Sequence, residues 1–203
     1  MNTGGGNMSN AAEQSRARMA QAALDLFVTH SYEGTSLQMI ASRLGVTKPA
    51  ISYHFGTKED LLAAVAAPAF ADLERYFAGL EAQRTKAARR RQALTGYVDL
   101  LVKHRGLMAL LLQDAGAARS PVLHERLVGL TEQLLQLFVS DPADTAERVY
   151  TAAALGGLRD AAGSFPELQD AELRAHLQQA GRRMLARPPR RAAGAQGPPG
   201  EPG

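Results

Sequence analysis

The sequence contains no cysteine, which excludes disulfides, thiolate metal sites and a cysteine nucleophile. That composition suits a reducing compartment, and a cytoplasmic location is the expectation. No apolar run approaches the ~18–20 residues of a membrane-spanning helix, so no membrane partner is expected. Met1 to Asn10 holds no apolar stretch of the kind a signal peptide needs. Strand-type alternation is almost absent too. Acidic residues are missing from one window: none falls between Gly34 and Lys58, whereas Arg43, Lys48 and Lys58 are present. The net charge of +3 is too mild to name an anionic partner by itself.

Catalytic patterns are also missing. The histidines His30, His54, His104, His124 and His176 are scattered. His124-Glu125 opens a zinc-protease pattern, but Val128 stands where its second histidine belongs. Gly56-Thr57-Lys58 lacks the residue order of a phosphate loop, and no strand precedes it. Neither a dinucleotide fingerprint nor a nucleophile elbow occurs. The expectation is a protein that is not an enzyme and has no cofactor and no metal.

What is present is a chain of 203 residues, 45% hydrophobic and 21% charged, able to bury a sizeable core. Residues 1–12, rich in Gly, Asn and Ser, read as a disordered lead-in, and residues 188–203, rich in Pro, Gly, Ala and Arg, as a disordered tail. Between them apolar residues recur at spacings of three and four, as in Ala20, Ala23, Leu24, Phe27 and Val28. The fold class expected is all-α, with about nine helices separated by Gly34, Gly45, Gly106, the Gly116 to Pro121 stretch, Ser140-Asp141-Pro142 and the Ser164 to Pro166 turn. Pro68 is expected to kink a helix and not to end it, because the periodicity resumes at Phe70, Leu73, Tyr76 and Phe77.

The stretch from Thr35 to Leu62 is the informative one. Thr35 or Ser36 can cap a short helix ending at Leu44, with Gln38 completing a capping box from Thr35. Ala41 allows a close helix crossing, Gly45 supplies a left-handed stop, and Ile40, Leu44, Val46 and Ile51 face inward. Thr47 caps a second helix, whose Pro49 sits where amides are free in any case. Thr57 caps a third, with Asp60 at its third position. These signals define a helix-turn-helix whose short second helix exposes Lys48, Pro49, Ser52, Tyr53 and His54 to a major groove. Lys58 and the helix start beside it are phosphate-binding candidates.

Here the sequence resembles the N-terminal domain of tetracycline-repressor (TetR) type regulators. Thr35-Ser36, Ile40-Ala41, Gly45-Val46, Ile51-Ser52-Tyr53-His54-Phe55 and Lys58-Glu59-Asp60-Leu61-Leu62 carry the likeness, over roughly Arg16 to Val65. One departure is Ser31 before Tyr32, where the family more often has glycine. The resemblance implies a homodimeric repressor of transcription, bound to a palindromic operator in double-stranded DNA and released by a small-molecule inducer. It places Thr35, Thr47, Lys48, Tyr53, His54 and Lys58 at the DNA backbone, with Ser36 beside Thr35. It places Pro49, Ala50 and Ser52 nearer the bases, and Phe55 inside. Residues 13–60 would form the DNA-binding domain, and residues 61–187 the domain for ligand binding and dimerisation.

In that second domain Phe70, Phe77, Tyr97, Leu101, His104, Met108, Leu111, Leu112, Phe138 and Tyr150 are the candidates to line a cavity, ordinary core being the alternative for each. The last two helices, Asp144 to Gly163 and Ala171 to Ala186, are expected to form a four-helix dimer interface through Ala152, Ala153, Ala154, Gly156 and Gly157. Leu155, Leu158, Leu173, Leu177 and Leu185 would supply its apolar contacts. The competing class is a helical binding protein or enzyme in which the helix-turn-helix is only scaffold.

Overall fold

The computed structural model describes residues 5–81 and 85–186. Ten helices occur among them: α1 (Gly5–His30), α2 (Leu37–Leu44), α3 (Lys48–His54), α4 (Lys58–Glu81), α5 (Lys86–Lys103), α6 (Arg105–Gln113), α7 (Ala115–Arg119), α8 (Pro121–Phe138), α9 (Thr145–Ser164) and α10 (Asp170–Met184). No strand occurs among the described residues, as the periodicity requires. The helix beyond the expected number is α7, five residues inside the stretch read as a break. Asp114 starts it by accepting from the Ala117 N–H at 3.0 Å. Residues 5–12, read as a disordered lead-in, continue α1, whereas the tail 188–203 lies outside the described residues.

Local capping chemistry sets most helix starts. Ser36 caps α2 by accepting from the Met39 N–H at 3.2 Å. Thr35 does not: it is 2% exposed, and its hydroxyl lies 2.8 Å from the Ser31 carbonyl and 3.2 Å from that of Leu26. No box forms with Gln38, whose amide reaches Ser42 instead. At α4 a reciprocal box does form, the Asp60 N–H donating to Thr57 and the Thr57 N–H to Asp60, both at 3.0 Å. Helix α4 continues through Pro68 to Glu81.

Two backbone positions with positive φ shape the first four helices. Gly45, at φ 66°, ends α2 and turns the chain into α3. Ser31, at φ 65°, holds the left-handed conformation after α1. Such a residue with a side chain costs about 1–2 kcal/mol, part of which its Oγ recovers by accepting from the Gly34 N–H at 3.0 Å.

Two apolar cores run through the molecule. In the first, Phe27, Ile40, Ile51, Phe55, Leu61 and Leu62 meet Leu107 and Leu110 of α6 and Leu123 of α8. The second joins Leu80 of α4 to Val98, Leu101, Leu134, Phe138, Leu158, Leu173 and Leu177. The 60/61 boundary between the expected domains therefore falls inside α4, and the first core draws on both sides of it. A polar tie reinforces this, because Asp114 also accepts from the backbone N–H of Tyr32. No helix among the described residues is long and apolar enough to cross a membrane.

Candidate nucleic-acid interface and apolar cavity

Helix α3 is held from behind and open in front. Ile51 and Phe55 are buried, and α2 packs against it through Ile40 and Ala41. Lys48, Pro49 and Ser52 face solvent, and Tyr53 is 84% exposed. Ala50 and His54 are half-buried, and Tyr53 packs edge-on against His54 with ring centres 5.3 Å apart. Thr47 caps the helix, accepting from the Ala50 N–H at 3.4 Å. Ser36 is exposed at the start of α2.

Two of the expected phosphate contacts need correction. Thr35 is buried, its hydroxyl spent on α1 and the turn after it, so it cannot reach a ligand without unpacking. Lys58 is anchored to the domain itself. Its ammonium donates to the Tyr32 carbonyl at 3.0 Å, lies 4.4 Å from the centre of the Tyr32 ring and sits 3.6 Å from Glu33. Burial, and next the Glu59 carboxylate 3.2 Å from its hydroxyl, push the Tyr32 phenol up, so it stays neutral and donates.

A residue without any motif signal completes the frame. Arg16, on α1, donates to the backbone carbonyl of His54 at the end of α3 and lies 4.4 Å from the centre of the Phe55 ring. Arginine at this point satisfies an orphan carbonyl and sets its charge at the negative end of the helix dipole. Only the folding of α1 across α3 brings these positions together.

Behind this unit a cavity of about 280 Å³ lies between α4, α5, α6, α8 and α9. Of the expected lining residues it takes Phe70, Tyr97, Leu101, His104, Met108 and Leu111. The other four are placed elsewhere. Leu112 is 43% exposed, about 100° round α6 from Leu111. Tyr150 is 61% exposed, about 140° round α9 from the lining residue Leu155. Phe138 is buried in the second core, and Phe77 packs beside Tyr76 at that core's edge. Much of the wall comes from α8, through Leu127, Leu130 and Leu134, and α9 adds Arg159.

The lining carries no carboxylate. Its His104 sets Nε2 2.7 Å from Asp72 of α4, a carboxylate also met by Lys103 at 2.6 Å and by Arg75. Lys103 foremost, helped by His104 and Arg75, holds the Asp72 carboxyl at about 2, below its ordinary 3.8. Tyr97 donates to the Leu155 carbonyl at 3.2 Å, and burial pushes its phenol up to about 12.

The proposed dimer helices need a correction as well. Leu155, Leu158, Leu173 and Leu177 are buried within the chain's own second core, as is Ala154, and Leu185 packs against it. The outer face of α9 exposes Val149, Tyr150, Ala153 and Gly157 instead, while Ala152 lines the cavity.

Fold and site together define a helical protein with a supported helix-turn-helix and a partly open apolar cavity behind it. Residues 20–65, which hold the helix-turn-helix, match the model of the bacterial regulatory proteins of the tetR family. It is 30% identical over 127 residues to the HTH-type transcriptional regulator SrpR of Pseudomonas putida, a match covering 62% of this chain and 58% of SrpR. Among solved structures, a TetR-like transcriptional regulator from Rhodococcus sp. RHA1 superposes with a TM-score of 0.63 at 21% identity, covering 86% of this chain and 96% of that one. The transcriptional regulator FadR from Bacillus subtilis, in complex with stearoyl-CoA, gives a TM-score of 0.64 at 15% identity, covering 83% and 97%. These relatives are transcriptional regulators.

Proposed function

We propose that the chain is a homodimeric repressor of transcription that binds a palindromic operator through α3 and is released by a small ligand. The observation that carries this reading is one shared helix. At its start α4 is bonded to the turn after α1, and about two to four turns later its Ala66, Ala69, Phe70 and Leu73 form a wall of the cavity. A ligand that binds better when this wall is displaced favours a different separation of the two recognition helices. That FadR holds stearoyl-CoA supports a ligand role for the same fold.

On DNA, Thr47, Lys48, Tyr53 and Ser36 meet the backbone, with His54 beside them, while Pro49, Ala50 and Ser52 meet base edges. The second copy seats on the outer face of α9, where nothing lies within 4 Å of a side chain built at Gly157. Two copies so joined set their α3 helices about one DNA turn, ~34 Å, apart. Residues 13–60 then read DNA and residues 61–187 bind ligand and partner. A cytoplasmic location follows from the role.

Selection of bound fragments from random DNA tests this. We expect a two-fold symmetric site and a dimer in sedimentation. A monomer that binds DNA unimpaired removes the dimer, and no sequence enrichment at all leaves the helix-turn-helix as mere scaffold.

A further inference from the structure

We propose that the cavity is built for an amphipathic monoanion, a carboxylic acid on an aliphatic or aromatic body, whose head group is held by Arg159 and His104. This rests on the reading of the cavity as a ligand site. The wall is hydrocarbon apart from Tyr97, His104, Thr131 and Arg159. These four are not equivalent. Tyr97 already donates to the Leu155 carbonyl at 3.2 Å, and Thr131 to the Leu127 carbonyl at 2.9 Å. Both hydroxyl protons are thus spent on backbone.

The two basic groups are differently placed. Arg159 meets Asp160 through Nε at 2.9 Å and Nη2 at 2.8 Å, so its Nη1 donors remain for a second acceptor. His104 turns Nε2 to Asp72 at 2.7 Å, which leaves Nδ1 on its other edge, a donor when the ring carries both protons. Asp72 does not depend on His104 for its counter-charge, because Lys103 and Arg75 also reach it. An arriving carboxylate therefore finds the Arg159 Nη1 donors still to fill, joined by Nδ1 of a protonated His104, whereas a cationic head finds no acid on the wall. The His104 side chain is 13% exposed, so its contact gains strength from the apolar surroundings, whereas Arg159, 49% exposed, acts where water also reaches. A volume of about 280 Å³ is near the lower end of ligand pockets, about 300–1,000 Å³, and fits a chain of medium length better than a bulky ring system.

The test is calorimetric titration of the full chain with decanoate, decanol and decyltrimethylammonium, which share one straight chain, each below its micelle concentration. We expect decanoate to bind at least about ten-fold tighter than the other two, the value of one hydrogen bond to a charged group. Arg159→Gln should abolish that preference while decanol binding persists. His104→Gln, which keeps a donor toward Asp72, should reduce it. Decanol or the cation binding as tightly as decanoate overturns the anionic class yet leaves the cavity a ligand site. An unchanged preference in both variants overturns the residue assignment. No binding by any of the three probes removes the ligand-site reading and the proposal with it.

Discussion

The ammonium of Lys58 donates to the backbone carbonyl of Tyr32 at 3.0 Å while lying 4.4 Å from the centre of the same residue's ring. The first residue of α4 is thus tied to the turn after α1, and its charge is engaged within the protein. Lys58→Met should lower stability by about 1–2 kcal/mol, from the lost charged hydrogen bond and cation–π contact. The salt dependence of DNA binding should stay the same. Denaturant unfolding beside a salt titration checks both; a slope lower by about 0.9 with unchanged stability would put Lys58 on a phosphate instead.

Arg16 supports α3 from the rear through the His54 carbonyl and the Phe55 ring. Arg16→Ala should weaken binding to specific and non-specific DNA by a similar factor, because the whole helix loses its seat. Lysine should restore little, as it lacks the planar fork that stacks and donates together. Competition binding on the two DNA types measures this, and an effect confined to one base position would contradict it.

Asp72 gives the fold an acid-sensitive point. Its carboxyl titrates at about 2 in the folded chain, against an ordinary 3.8, because Lys103, His104 and Arg75 favour its charged form. A depressed carboxyl contributes stability that is complete above the unfolded pKa and is lost as pH falls through the folded one. Stability should therefore decline between about pH 5 and pH 2, and Asp72→Asn should flatten that decline while lowering stability at neutral pH. Equal acid limbs in the two proteins, followed by thermal unfolding, would refute the assignment.

Two glycines of α9 should behave oppositely. A side chain at Gly163 would lie 2.6 Å from the Ala109 nitrogen and 2.8 Å from its Cα, against the backbone of α6. Gly163→Ala should cost about 1–3 kcal/mol or more, since neither helix can yield locally. At Gly157 the space is open, and alanine there should stabilise the single chain by up to about 1 kcal/mol while weakening the proposed dimer. Unfolding and sedimentation equilibrium report the two effects separately.

The helix-turn-helix was legible because its determinants are local. Gly45 stops α2 with a positive φ, Thr47 caps α3, and Thr57 and Asp60 exchange hydrogen bonds at the start of α4. Each device acts within about one turn of helix, so short spacing suffices to read it. Choice between like neighbours was not legible. Thr35 and Ser36 both look like caps, and only the carbonyls of Leu26 and Ser31 decide that Thr35 turns inward.

The cavity lay further from the sequence. Its α4, α5 and α6 walls follow from apolar periodicity, but Leu111 and Leu112 differ only by the rotation of one residue. The role of α8 and of Arg159 depends on how five helices pack together. The sequence by itself thus determined the helices, their stops and the reading unit, all governed by interactions between residues close in the chain. Tertiary structure alone decided that Lys58 and Thr35 face the protein, that Arg16 props α3, and that α9 keeps its leucines for its own core. Those outcomes rest on packing between distant segments, whose geometry no spacing in the chain encodes.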